Sequence, residues 1–191
     1  MCMRNSLLAL SLTFAFRAGT AVAETPGLGQ PISEADIAAW NIDVLPDGTG
    51  LPAGSGTAKQ GAAIYSQKCA ICHGENGVNP APGNLPMVGP SKFDKIDTMK
   101  TVPYYKYATT LFDVMRRSMP YSMPKTLTNE ELYALSAYIL SLNKIIGEND
   151  VMDAKSLPQV KMPNRDNFIV WDPDKVGYDP LGVQGQGPAM R

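Results

Sequence analysis

Two cysteines and a histidine form the pattern in this chain best suited to chemistry. Cys69 and Cys72 lie three positions apart, and His73 follows directly. Two thiols about one helical turn apart can form thioethers with two neighbouring vinyl groups of a porphyrin ring. The next residue then lies beneath the iron at the centre of that ring. An imidazole is one of the few ligands that protein haems use. The pattern predicts one covalent haem c on Cys69 and Cys72, with His73 as the proximal iron ligand.

Two other kinds of site use a pair of cysteines at this spacing. A structural zinc site needs four ligands, but His73 is the only histidine and Cys2 the only further cysteine. Cys2 lies in an N-terminal segment that we expect to be removed. A thioredoxin-like dithiol would follow a βαβ pattern, whereas the flanking sequence reads as helix and loop. Haem is therefore favoured over both.

The second axial ligand must come from another part of the chain. Because His73 is the only histidine, ligation by two histidines of one chain is excluded. A methionine thioether is the usual partner in electron-transfer cytochromes. Met119 is preferred because it follows a short helix and precedes a proline in a stiff loop. Met123 has the same Met-Pro context and stays an alternative distal ligand, and an open coordination site would require both to point away.

Two helices are predicted to position the cysteine–histidine motif. Thr57 is a candidate N-cap for the helix that leads into the motif. Thr128 begins the last helix, where Glu131 completes a capping box. Gly61 lies inside the first of these helices, where a glycine costs about 1 kcal/mol relative to alanine. Its presence there therefore indicates that another helix approaches closely at this point. The expected crossing brings Gly61 and Tyr65 against Leu135 and Tyr138.

Two shorter features complete the expected site. A helix capped by Thr109 or Thr110 should run through Arg117 and end before the Met119-Pro120 pair, because proline disfavours helix at the preceding residue. The proline-rich loop of residues 74–90 should supply a backbone carbonyl, around Leu85 and Pro86, for the second ring N–H of His73.

The N-terminus reads as a secretory signal peptide. Arg4 gives a basic start, an apolar run spans Leu7 to Phe16, and Ala21-Val22-Ala23 fits a cleavage site before Glu24. The run is too short to span a bilayer, and no later stretch is long enough. We therefore expect an exported protein of the Gram-negative periplasm with no membrane span.

Composition divides the chain into segments and excludes one class of partner. Removing Arg4 and Arg17 with the signal leaves 15 basic and 18 acidic residues, which is not a nucleic-acid-binding balance.

Trp40 is the expected anchor of the N-terminal arm, and Phe168 and Trp171 are the expected anchors of the tail, which should be disordered from about Gly182. The segments are a signal peptide (1–23), an N-terminal arm (24–56), a cytochrome c domain (57–147) and an extended C-terminal tail (148–191).

Several motifs together resemble a class I cytochrome c, an all-α fold in which the N- and C-terminal helices cross over one haem. More narrowly, the chain is similar to the c-type cytochrome subunit of sulfane and sulfite dehydrogenases (Sox-type) from about Asp36 to Asp172, including both arms. The matching stretches are Trp40-Asn41-Ile42-Asp43, Pro46-Asp47-Gly48-Thr49-Gly50-Leu51-Pro52, Tyr107-Ala108-Thr109-Thr110-Leu111-Phe112-Asp113, Arg117-Ser118-Met119-Pro120 and Met162-Pro163-Asn164.

This resemblance implies a one-electron carrier and its partners. Electrons would come from a molybdenum-cofactor subunit that oxidises sulfite or sulfane sulfur, and would leave to a downstream cytochrome or oxidase. The chain would not itself convert the substrate. The methionine of the family's Arg-x-Met-Pro stretch falls on Met119, and Arg116 and Arg117 beside it are candidates for docking, for pairing with haem propionates, or for a solvated helix face. A free-standing electron shuttle and a haem enzyme or gas-binding protein with an open site are the alternatives.

Overall fold

The computed structural model describes residues 28–93 and 95–168, except the side chains of Ala39, Ile96 and Asp97. The expected signal peptide, Trp171 and the expected disorder beyond Gly182 lie outside these residues. The chain divides into two units, residues 1–40 and 41–191. No helix among the described residues is long and apolar enough to cross a membrane.

In the first unit, the predicted short helix is present as α1, Glu34–Trp40. Its start is capped by the Ser33 hydroxyl oxygen, which accepts a hydrogen bond from the Asp36 backbone N–H at 3.1 Å. The prediction that Trp40 is a buried anchor is wrong, because its side chain is 78% exposed. A seven-residue helix offers too little apolar surface to bury an indole ring within this unit.

The described residues of the second unit are mainly helical, which confirms the expected all-α class, and they include one small strand pair. Strand β1 runs antiparallel to β2, with Gly56 opposite Met152. Short 3₁₀ turns cover Glu75–Gly77, Ile96–Lys100, Val102–Tyr104 and Leu157–Gln159. The regular elements are β1 (Ser55–Thr57), α2 (Ala58–Lys68), α3 (Ala70–His73), α4 (Ala108–Ser118), α5 (Asn129–Leu142) and β2 (Val151–Asp153).

Capping boxes begin α2 and α5, as the sequence predicted for α5. The Thr57 hydroxyl oxygen accepts from the Gln60 N–H at 3.3 Å, and the Thr128 hydroxyl oxygen accepts from the Glu131 N–H at 3.2 Å. The predicted threonine cap of α4 is wrong: the helix begins at Ala108, and its N-cap residue makes no side-chain capping bond. Thr109 is inside the helix and buried, so tertiary packing rather than a cap sets this start.

The crossing of α2 and α5 is confirmed and is very close. A Cβ atom added to Gly61 would lie 2.0 Å from the Ala134 carbonyl oxygen and 2.7 Å from the Tyr138 Cβ. The Tyr65 and Tyr138 rings pack with centroids 5.4 Å apart. At the end of α2, the Lys68 Nζ lies 2.5 Å from a Glu131 carboxylate oxygen on α5. The crossing is therefore fixed by backbone contact, ring packing and an ion pair.

Residues after α5 belong to the core more than their polar composition predicted. Phe168, which was expected to anchor this stretch, is 37% exposed and therefore is not one of its buried side chains. A few apolar side chains in a polar segment suffice to pack this stretch against the helices, while the predicted tail of residues 148–191 as a whole stays a prediction. The side chains buried instead are Met152, Leu157, Val160 and Met162.

The Gly61 contact predicts a strong effect of adding one methyl group. We expect Gly61→Ala to lower the free energy of unfolding by about 2 kcal/mol, because the opposing Ala134 atoms are backbone and cannot move aside. The measurement is urea unfolding of the haem-loaded protein. Gly147→Ala is the control, since its added Cβ would approach no atom closer than 3.4 Å. Equal stability of the two variants would contradict a backbone contact at Gly61.

The Lys68–Glu131 pair predicts a defined pH dependence. Partial burial alone would raise the pKa of Glu131, but hydrogen bonds from Lys68 and the Thr128 backbone outweigh it and lower the pKa below its ordinary value of 4.5. A lowered carboxyl pKa contributes stability above about pH 4.5, and this is lost as the pH falls through the folded-state value.

Glu131→Gln keeps an acceptor for the cap and removes the charge. We expect it to be less stable than wild type at pH 7, by less than about 1 kcal/mol, and the difference to shrink as the pH is lowered to about 3. Chemical unfolding at both values measures the difference. If the free energies of unfolding of wild type and variant differ by the same amount at both pH values, the ion pair does not cause the difference.

Candidate haem site

One cavity of about 280 Å³ collects the residues that the sequence singled out for chemistry. Cys69, Cys72, His73 and Met119 all line it. Its other walls are mainly apolar and come from α2, α4, α5 and the loops between them. These walls include Tyr65, Met87, Met115, Leu127, Leu135 and Ile139. Residues distant in sequence thus meet around a single space.

His73 is held by the loop that was expected to hold it. Its ring Nδ1 lies 2.9 Å from the Leu85 carbonyl oxygen. Because a carbonyl can only accept, Nδ1 carries the proton and Nε2 is left with a lone pair. A fixed acceptor of this kind orients a metal-ligating imidazole and raises its basicity. The prediction of a carbonyl around Leu85 and Pro86 is confirmed at Leu85.

The loop that carries Leu85 is itself fastened to the end of α5. The Asn143 side chain donates to the Met87 carbonyl at 3.2 Å and accepts from the Gly89 N–H at 3.2 Å. One amide thereby satisfies two backbone groups of the loop. Asn143 was not identified from the sequence, because an asparagine at a helix end is equally typical of a simple cap.

The two cysteines lie in different surroundings. Cys72 is exposed, and Cys69 is partly buried. Burial raises the pKa of the Cys69 thiol to about 11, although Lys68 opposes this. A neutral thiol or thioether is therefore favoured over a free thiolate at this apolar wall. Among the described residues, no group of three or more His, Cys, Asp and Glu is placed to hold a metal ion.

The two candidate methionines occupy different positions. Met119 is partly buried, packs against the core and lines the cavity. It directly follows α4, where its N–H donates to the Met115 carbonyl at 3.1 Å, and its peptide bond to Pro120 is cis. Met123 is 59% exposed and is not among the residues that line the cavity.

The donor set fits a covalently attached haem. Two thiols, an imidazole with a free lone pair and a thioether surround one apolar cavity, and these are the groups that haem c requires. Two lining side chains, Ile71 and Tyr121, are 85% and 88% exposed and so lie at its mouth. One edge of a bound group would therefore face the outside.

Comparisons with known proteins agree with this geometry. A family model described as cytochrome c oxidase, cbb3-type, subunit III matches residues 56–139. The chain is also similar to a chain in the crystal structure of the sulfane dehydrogenase SoxCD from Paracoccus pantotrophus, with 32% identity and a TM-score of 0.70. The match covers 87% of this chain and 81% of that chain. The chain belongs to the Sox-type c-type cytochromes, which are electron-transfer proteins of the class I fold with covalently bound haem c.

Proposed function

We propose that this chain is the periplasmic haem subunit that accepts single electrons from a molybdenum-containing sulfite or sulfane dehydrogenase subunit. The extent of the likeness to the sulfane dehydrogenase chain carries the proposal. It covers 87% of this chain, far more than the residues 56–139 matched by the cytochrome model. The likeness therefore extends beyond the cytochrome domain into the arms, where a subunit of a particular complex differs from a generic cytochrome.

In this proposal four side chains hold the haem. Cys69 and Cys72 bind it covalently, His73 is the proximal iron ligand and Met119 is the distal one. When bound, the haem supplies a one-electron redox couple. The Leu85 carbonyl fixes the tautomer and orientation of His73, and the apolar walls exclude water, which together with the methionine ligand favours a raised reduction potential.

The preference for Met119 over Met123 is supported by burial. Met119 packs against the core beside the cavity, whereas Met123 is 59% exposed. A thioether must be held in place to remain bound to iron through both oxidation states, and a loop residue fixed by its neighbours satisfies this better than an exposed one.

The remaining parts of the proposal concern location and partners. Residues 1–23 act as a removable signal peptide, and the cytochrome is exported to the periplasm. The sulfur chemistry belongs to the molybdenum subunit, and the electron leaves to a downstream cytochrome or oxidase. The exposed mouth beside Ile71 and Tyr121 gives both partners access to the same edge.

The distal-ligand assignment predicts different behaviour of two methionine variants. We expect Met119→Ala to lose the far-red sulfur-to-iron charge-transfer band of the oxidised protein and to have a lower reduction potential, because the thioether ligand raises the potential. Met123→Ala is the matched control and should keep both properties. Visible spectroscopy and redox titration measure them. Loss of the band in Met123→Ala alone would transfer the role to Met123, and its absence from wild type would favour an open coordination site.

The partner assignment predicts substrate-dependent reduction of the haem. With a candidate molybdenum subunit present, sulfite or a sulfane-sulfur substrate should reduce the haem, and without that subunit the haem should stay oxidised. Stopped-flow absorption at the haem bands measures this directly, and copurification of the two chains tests their association. Rapid reduction by unrelated donors together with none through the molybdenum subunit, for every sulfur substrate tried, would indicate a free-standing shuttle instead.

A further inference from the structure

Two arginines at the end of α4 bind the chain that precedes the cytochrome domain. We call residues 42–52 the arm loop. Arg116 donates through one guanidinium nitrogen to the Ile42 carbonyl at 3.1 Å and to the Gly50 carbonyl at 3.3 Å. Arg117 donates to a carboxylate oxygen of Asp43 at 2.8 Å. Arg116 is thus engaged by the arm loop, whereas the Arg117 side chain is paired with Asp43 and still 47% exposed.

A buried carboxylate completes the contact. Asp113, one turn earlier on α4, is only 8% exposed. One of its oxygens accepts from the Val44 backbone N–H at 3.2 Å, and the other is paired with Arg117. The arm loop and the last turns of α4 thus share a network in which Arg117 pairs with two carboxylates and Arg116 donates to two backbone carbonyls. A hydrogen bond to a charged group contributes more than a neutral one, and a buried charge left unpaired is costly.

The arm loop is also fixed at its other end. The Tyr133 hydroxyl on α5 donates to the Pro52 carbonyl at 2.7 Å. Within the loop, the Leu45 N–H donates to the Thr49 carbonyl at 2.9 Å, so the chain turns back on itself. Because the arm loop is bonded both to α5 and to α4 and is braced by its own hydrogen bond, it can hold the end of α4 in a fixed position relative to α5.

We infer that the arm loop positions Met119. Arg116 and Arg117 belong to the last turn of α4, and Met119 follows that turn directly. The C-terminal turn of a helix frays easily because its last carbonyls lack intrahelical partners. The arm loop restrains the last turn of α4 through hydrogen bonds from outside the helix. It thereby also restrains Met119, which follows that turn and lines the cavity. This inference depends on the proposed role of Met119 as distal ligand, and it makes Arg116 a positioning residue.

Three variants test the constraint. Arg116→Met removes the donors to the two arm-loop carbonyls, and Asp43→Asn removes the charge opposite Arg117. Lys161→Met is the control, because it breaks the Lys161–Asp166 pair, which is 3.1 Å long and exposed and contacts neither α4 nor the arm loop. Two readouts are followed on heating the oxidised protein: the sulfur-to-iron band and the far-ultraviolet circular dichroism of the helices.

We expect the band to disappear at a temperature about 5 °C lower than in wild type for Arg116→Met, with a smaller decrease for Asp43→Asn. The helical transition should move less than the band, so that the two transitions separate. Arg116→Lys should restore part of the loss, since an ammonium can still donate to one carbonyl. Band and helix transitions that move together would show a merely structural role and overturn the inference, as would a band unaffected by either variant.

A further variant disturbs the arm loop without substituting any residue of α4. Gly50 has a φ of +87°, and an added Cβ would lie 2.0 Å from the Asp43 carbonyl oxygen. Gly50→Ala should therefore reproduce the early loss of the band, whereas an unchanged band would contradict the inference. Failure of the ligand assignment is distinguished by Met119→Ala, because a band that survives in that variant shows that another residue binds the iron.

Discussion

The close approach of α2 and α5 at Gly61 is the contact on which the cytochrome unit depends. Cys69 follows α2 directly, and Leu135 and Ile139 on α5 form part of the cavity wall. The separation of the two helices therefore determines where the cysteines lie relative to that wall. A side chain at position 61 would meet the backbone of Ala134, and the displacement would be passed to Cys69 and Cys72, which follow in the chain.

The parts of the fold predicted correctly carry their signals within a few residues. A capping box needs only a threonine and a glutamate three positions apart, and a proline-rich loop after His73 leaves few carbonyls within reach of its ring. The haem motif is equally local. These signals hold because the physical interaction joins the same residues that form the pattern, as between Thr128 and Glu131.

The predictions that failed concern interactions whose partners are far apart in sequence. Arg116 reads as a surface residue of an amphipathic helix, but its acceptors precede it by 74 and 66 positions. Trp40 was expected to be buried because its ring is large, but it is 78% exposed. The polar composition of the residues after α5 did not predict that a few of them are buried. One of these is Asn164, whose side chain donates to the Tyr104 carbonyl at 2.8 Å. No local pattern encodes such partners.

The strand pair β1–β2 has a consequence for the order of assembly. Gly56 precedes the cysteines and Met152 follows α5, so their pairing closes a long loop, and closing such a loop costs conformational entropy. During synthesis, Cys69 and Cys72 are added to the chain well before residue 152. The ladder can therefore form only after Val151–Asp153 have been synthesised, so both cysteines are present in the chain before this strand pair closes around the helices.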